Sequence, residues 1–179
     1  MNIINTIDNQ IYEIIIKMLS PGVTAIMTFI SFLGSAITLI TLSIGFIFLI
    51  KNKKYPKLIA LNLIFVFILN RILKWIIARP RPERLKLVFE DGYSFPSGHS
   101  MVAFGFYGFL IYLIYKNIKN KKIKYTLITF LSLLVLFIGI SRVYLGVHYV
   151  TDVIGGFIFA FLYLVVFIKY FCKRIGFNK

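Results

Sequence analysis

Histidine occurs twice in this chain of 179 residues, cysteine once, and acids six times against 21 lysines and arginines. The lone cysteine, Cys172, excludes an intrachain disulfide and a cysteine-built metal site; near the end of an apolar segment it is expected as a reduced thiol. Two histidines and a few scattered carboxylates make a poor two-metal centre, so no metal is expected. Charged residues make up 15% of the chain and hydrophobic ones 59%, whereas a soluble domain carries about 25% charge. A soluble domain is thereby excluded in favour of an integral membrane protein. No internal repeat or low-complexity linker is present. The first twenty residues also lack the basic start, apolar core and small-residue site of a cleavable signal peptide.

The apolar segments approach the roughly 20 residues that cross a bilayer as a helix. The expected fold is all-α, an integral membrane helical bundle of five full transmembrane helices. Ser35 to Ile50, extended upstream by a turn or two, reads as the first, and Leu58 to about Ile77 as the second, ending before Pro80. Gly98 to Tyr115, Tyr125 to about Ser141 and Tyr149 to Phe171 follow. Residues 35–179 form one domain. Residues 1–34 read as interfacial or half-buried helices: Ile4 to Leu19 mixes apolar residues with Asp8, Asn9, Glu13 and Lys17, and Met27 to Leu33 is apolar but short. The alternative is a sixth, kinked span from about Asp8 to Leu33.

A net charge of +15 raises nucleic acid as a partner, and its distribution argues against it. Basic residues gather at Lys51, Lys53, Lys54 and Lys57, from Lys116 through Lys119 to Lys124, and at Lys169, Lys173, Arg174 and Lys179. None of these stretches holds an acid. Lysine and arginine at span ends mark the cytoplasmic side, where they attract anionic lipid headgroups. Alternation then puts the 78–97 loop and the 142–148 turn together on the extracytoplasmic face, with the C-terminus cytoplasmic.

Both histidines fall in polar clusters on that face. Lys74 precedes Arg81-Pro82, and two cations held close together suit a phosphate; simple snorkelling to the interface is the plainer reading, and it is the default for Arg71, Arg79 and Arg84. Pro96-Ser97-Gly98-His99 opens a span. Ser97 fits an N-cap, Gly98 permits close backbone approach, and helix-start N–H groups bind anions; an ordinary capped helix with an interfacial histidine is the alternative. In Ser141-Arg142, His148 and Asp152, a helical opening would place His148 and Asp152 on one face. A carboxylate there can keep one imidazole nitrogen protonated and leave the other nucleophilic, or merely tie two helices together.

Taken jointly, Lys74-x6-Arg81-Pro82, Pro96-Ser97-Gly98-His99 and Ser141-Arg142-x5-His148-x3-Asp152 resemble the type 2 phosphatidic acid phosphatase family, whose superfamily includes bacterial acid phosphatases and vanadium haloperoxidases. Every motif position is filled. The departure is at the front, where many relatives carry a further clear transmembrane helix that here is missing or weak. The resemblance implies a metal-independent phosphatase without cofactor. Lys74, Arg81, Arg142, Ser97 and the Gly98 N–H would cradle phosphate, His148 would be the nucleophile oriented by Asp152, and His99 would protonate the leaving oxygen. Two histidines near the ordinary value of about 6.5 imply activity bell-shaped between roughly pH 5.5 and 7.5. The implied substrate is a lipid phosphate at the plasma membrane: undecaprenyl diphosphate, slightly favoured as a carrier lipid to be recycled, phosphatidylglycerol phosphate or phosphatidic acid. A phosphotransferase of the same fold is the alternative within enzymes. An anion or lipid transporter is the alternative outside them, disfavoured because such proteins show internal repeats and midplane charges.

Overall fold

The computed structural model describes residues 3–83 and 85–172, and among these every regular element is helical. Arg84, and Lys173, Arg174 and Lys179 of the expected basic tail, lie outside the described residues. The helices are α1 (Ile3–Lys17), α2 (Pro21–Leu33), α3 (Ala36–Leu49), α4 (Lys54–Ile77), α5 (Gly98–Asn117), α6 (Lys121–Tyr144) and α7 (Val150–Phe167).

Four of them, α4, α5, α6 and α7 with its continuation to Phe171, are long and apolar enough to cross a membrane. The expected span from Ser35 to Ile50 differs. Its helix, α3, holds 14 residues, a rise of about 21 Å against a hydrocarbon core of about 30 Å. It reaches spanning length only together with α2, across a 46° bend. The bend has a local cause, because one helix is closed and the next opened within two residues. The Gly34 N–H closes α2 on the Ser31 carbonyl at 3.0 Å, and the Ser35 hydroxyl opens α3 by accepting from the Thr38 N–H at 3.3 Å.

Helix α5 is the centre of the bundle, packed against α4, α6 and α7, while α2 lies on α6 and α3 on α4. Glycines permit the close approach that membrane helices depend on for packing. A Cβ at Gly105 would sit 2.7 Å from Val66 of α4, and one at Gly139 would sit 2.6 Å from the Phe157 ring of α7. Phe106, Phe109, Met101, Ile138 and Leu39 are fully buried between these helices. The outward faces are equally apolar, with Phe48, Leu49, Trp75, Phe130 and Phe161 exposed, which suits a surface whose solvent is lipid.

The alternation of helices decides where chemistry can occur. α4 runs away from the Lys51–Lys57 end, α5 returns, α6 leaves again and α7 returns. The ends of α4 and α6 and the starts of α5 and α7 therefore meet at the pole opposite the lysines. The 78–97 segment closes that pole; backbone bonds from Leu87 N–H to Leu145 O (3.1 Å) and from Ser97 N–H to Asp152 O (3.0 Å) stitch it down, and Ser94 N–H to Arg79 O (2.7 Å) closes it on itself.

Candidate active site

A cavity of about 150 Å³ opens at this pole, and its wall includes Lys74, Arg81, Glu90, Gly98, His99 and His148. The three sequence clusters thus meet at one place. Ser97, Arg142 and Asp152 stand behind the wall.

His148 is 2% exposed. Its Nε2 lies 3.1 Å from Arg81 Nη1. A guanidinium has no acceptor, so Nε2 carries the lone pair and Nδ1 the proton. On the Nδ1 side stand the Ser94 hydroxyl at 3.3 Å and Asp152 Oδ2 at 3.5 Å. The Ser94 hydroxyl in turn donates to Asp152 Oδ2 at 2.5 Å. Burial, with the charges of Arg81, Arg142 and Lys74 acting in the same sense, pushes His148 down to about 3, against a hydrogen bond to Asp152 that opposes it. The ring is a neutral imidazole with its lone pair directed at cations.

The expected helical face does not produce the His148–Asp152 contact. α7 starts at Val150, so His148 precedes the helix. Asp152 sits in the first turn and reaches back past the N-cap, where its Oδ2 also accepts the Tyr149 N–H at 2.9 Å. A carboxylate three positions into a helix commonly bonds the N-cap N–H, and that habit brings Asp152 to His148.

Arg79, expected to snorkel, is a structural cation. It donates from Nη1 to Asp152 Oδ1 at 2.6 Å and from Nη2 to Asp8 Oδ2 at 2.7 Å, with the two carboxylates 0% and 1% exposed. Asp8 also accepts from the Thr151 N–H at 3.1 Å and the Thr151 hydroxyl at 2.7 Å. Arg79 lies over the Tyr149 ring at 4.1 Å. Burial opposes its charge, yet the bonds and charges of Asp8 and Asp152 hold it above its ordinary value.

The phosphate-binding candidates differ in how they are held. Arg81 is fixed by carbonyls, donating to Gly92 (3.0 Å), Asp91 (2.8 Å) and Val147 (2.9 Å). Lys74 donates to the carbonyls of Tyr93 and Ser94. Arg142 donates to Ser31 and to Glu90, and its Nε is buried without a partner. Ser97 is fully buried; its hydroxyl accepts from the Ser100 N–H and hydroxyl at 3.4 and 2.9 Å, and its carbonyl takes the Met101 N–H. The Gly98 and His99 amides are left as the first-turn donors. A Cβ at Gly98 would sit 3.3 Å from Asn70 Oδ1 and 3.8 Å from Lys74 Cε.

Glu90 was not foreseen. Its carboxylate pairs with Arg142, reaches Arg81 at 3.7 Å and stands 3.8 Å from His99 Nδ1. It makes the contacts an incoming anion would make. Ser94 and Asp8 were also missed. Scarcity was the available signal for Asp8 and Glu90, two of only six acids in the chain, one in an amphipathic helix and one in the loop that follows Arg79 and Arg81.

The sequence model described as the PAP2 superfamily matches residues 55–175. The chain is 38% identical over 179 residues to phosphatidylglycerophosphatase B of Bacillus subtilis strain 168, covering 97% of this chain and 87% of the relative. The fold matches the crystal structure of a transmembrane PAP2 type phosphatidylglycerolphosphate phosphatase from Bacillus subtilis, with a TM-score of 0.89 and 34% identity, covering 100% of this chain and 90% of that one. It also matches LpxE of Aquifex aeolicus, with a TM-score of 0.72 and 27% identity over 90% of this chain and 94% of that one.

Proposed function

The chain belongs to the PAP2 superfamily, and from that premise we propose that it is a membrane phosphatase that removes phosphate from a lipid through a phosphohistidine. The supporting observation is a buried imidazole whose Nε2 lone pair faces a cavity walled by Lys74, Arg81 and His99, with its other nitrogen against Ser94 and Asp152.

The phosphoryl group enters between Lys74, Arg81, Arg142 and the Gly98 amide, displacing the Glu90 carboxylate. Ser97 acts as the cap that holds the amides in place. His148 Nε2 attacks phosphorus in line with the leaving oxygen. The new P–N bond forms as the P–O bond breaks, and His99 gives its proton to the departing oxygen. The fixed cations balance charge on the equatorial oxygens, a task they perform without reorganising. Asp152 and Ser94 keep the Nδ1 proton in place as charge builds on the ring. His99 then takes a proton from water, whose oxygen attacks phosphorus and releases His148. Arg79 and Asp8 are positioning residues acting through Asp152, and residues 1–34 support the 35–179 domain through Asp8 and Ser31.

The acid-free lysine loops face the cytoplasm and the site opens extracytoplasmically at the plasma membrane. The preferred substrate is phosphatidylglycerol phosphate. The 38% identical relative carries that specificity in its name, and this outweighs the slight leaning to undecaprenyl diphosphate. The test is phosphate release by purified protein in detergent from phosphatidylglycerol phosphate, undecaprenyl diphosphate and phosphatidic acid, with vanadate as competitor. His148→Ala should lose at least about a thousandfold in kcat, and acid quenching of the parent enzyme should trap an acid-labile phosphoprotein. Turnover surviving in His148→Ala would overturn the mechanism.

A further inference from the structure

The cavity has one cation that no site motif explains. Phe67, Asn70, Arg71 and Lys74 all line it, and their spacing of i, i+3, i+4 and i+7 places them on one stripe of α4. Lys74 and Asn70 are occupied by the carbonyls of Tyr93, Ser94 and Pro96, and Arg81 and Arg142 by carbonyls, Ser31 and Glu90. Arg71 is exposed at the mouth and has no hydrogen-bond or ion-pair partner among the described residues. An arginine inside a membrane span is costly without an anion or water to meet it.

Its depth is informative. α4 runs toward the site, so Arg71 lies one turn further from the site pole than Lys74, about 4.5 Å along the axis, with Phe67 about 6 Å deeper again. Read from the pole inward, the stripe presents a cation for the scissile phosphate, a second cation, and then an apolar ring. A lipid with two phosphates has the same order: terminal phosphate, inner phosphate, hydrocarbon. Phosphatidic acid has nothing to place at the second step.

Resting on the phosphatase reading above, we propose that Arg71 binds a second, non-scissile phosphate of the substrate, one turn deeper than the phosphate that is cleaved, and so selects lipids carrying two phosphates. The inner group is a phosphodiester in phosphatidylglycerol phosphate and the inner phosphate in a prenyl diphosphate.

The test is kcat and KM of the parent protein, Arg71→Gln and Arg71→Lys on short-chain phosphatidylglycerol phosphate, a prenyl diphosphate and short-chain phosphatidic acid in mixed micelles. Arg71→Gln should lose at least about tenfold more kcat/KM on a two-phosphate lipid than on phosphatidic acid, mostly through KM, as expected for a lost charge-assisted contact. Arg71→Lys should recover much of it. Loss confined to phosphatidylglycerol phosphate identifies the phosphodiester as the ligand, and loss confined to the prenyl lipid identifies the diphosphate. Equal losses on all three lipids, or no loss, would overturn the proposal. Failure of the parent protein to release phosphate from any lipid would instead strike the phosphatase reading.

Discussion

Arg79 offers the sharpest perturbation, because one guanidinium holds two carboxylates that have almost no contact with solvent. Its bonds to Asp152 and Asp8 are 2.6 and 2.7 Å long. In Arg79→Gln both acids lose their cation and face each other across the gap. Removing one partner of a buried ion pair costs about 3–5 kcal/mol. The arginine side chain is 20% exposed, which favours the lower end, about 3 kcal/mol. For a chain of this size that lowers the melting temperature by about 6–12 °C. Turnover should fall less than in a triad that loses its acid outright, because Ser94 and the Tyr149 N–H still hold Oδ2 at 2.5 and 2.9 Å. A loss of about 10- to 100-fold in kcat corresponds to one charge-assisted bond. Adding Asp8→Asn removes one of the two stranded charges and should restore about half of the lost stability. The assays are thermal unfolding in detergent and steady-state phosphate release. An Arg79→Gln protein that melts within about 2 °C of the parent with unchanged kcat would show that the Asp8–Arg79–Asp152 chain supports neither fold nor catalysis.

Other outcomes follow from the same geometry. Glu90→Gln removes the carboxylate that pairs with Arg142 and neighbours Arg81 and His99, so competitive inhibition by vanadate should tighten about tenfold; an unaltered inhibition constant would mean Glu90 does not stand in the anion's path. With His148 pushed down to about 3, the imidazole stays unprotonated as pH falls, so the acidic limb of kcat/KM, corrected for substrate ionisation, should lie well below the pH 5.5 expected from unperturbed histidines. The same depressed value means that the stability from burying a neutral ring is complete above about 6.5 and is lost as pH falls from there toward 3; thermal melts between pH 7 and 4 would report it, and a flat series would contradict it. Gly146 has φ of 72° and its Cβ would fall 1.9 Å from the Leu85 carbonyl oxygen, so Gly146→Ala should lose folded, active protein by more than the roughly 1–2 kcal/mol of left-handed strain alone. A well-folded, fully active variant would refute that reading of the turn before His148.

The sequence was most legible where the physics is local. Apolar runs bounded by lysines placed α4 to α7 within a few residues, and simple alternation brought Lys74, Arg81, His99 and His148 to one pole. The α2–α3 bend was harder to see, since it depends on two caps meeting at Gly34 and Ser35, and each cap alone is ordinary. The supporting shell was least legible. Ser94 meets Asp152 across 58 residues, and Asp8 meets Thr151 across 143; no periodicity encodes such pairs. Arg79 shows the same limit, because one arginine at a span end reads identically whether it rests in headgroups or clamps two acids. The His148–Asp152 spacing suggested contact for the wrong reason, as the carboxylate reaches back over a helix start.

The 143-residue interval between Asp8 and Thr151 also fixes the order of events during biosynthesis. A ribosome that has delivered the chain only as far as α6 has released Asp8, Arg79 and the cationic wall, but neither His148, the proposed nucleophile, nor Asp152, the acid proposed to orient it. Contacts of such long range form late. On the proposed mechanism the newborn protein therefore completes its site in one closing step, when α7 enters the bilayer and draws its first turn against α1.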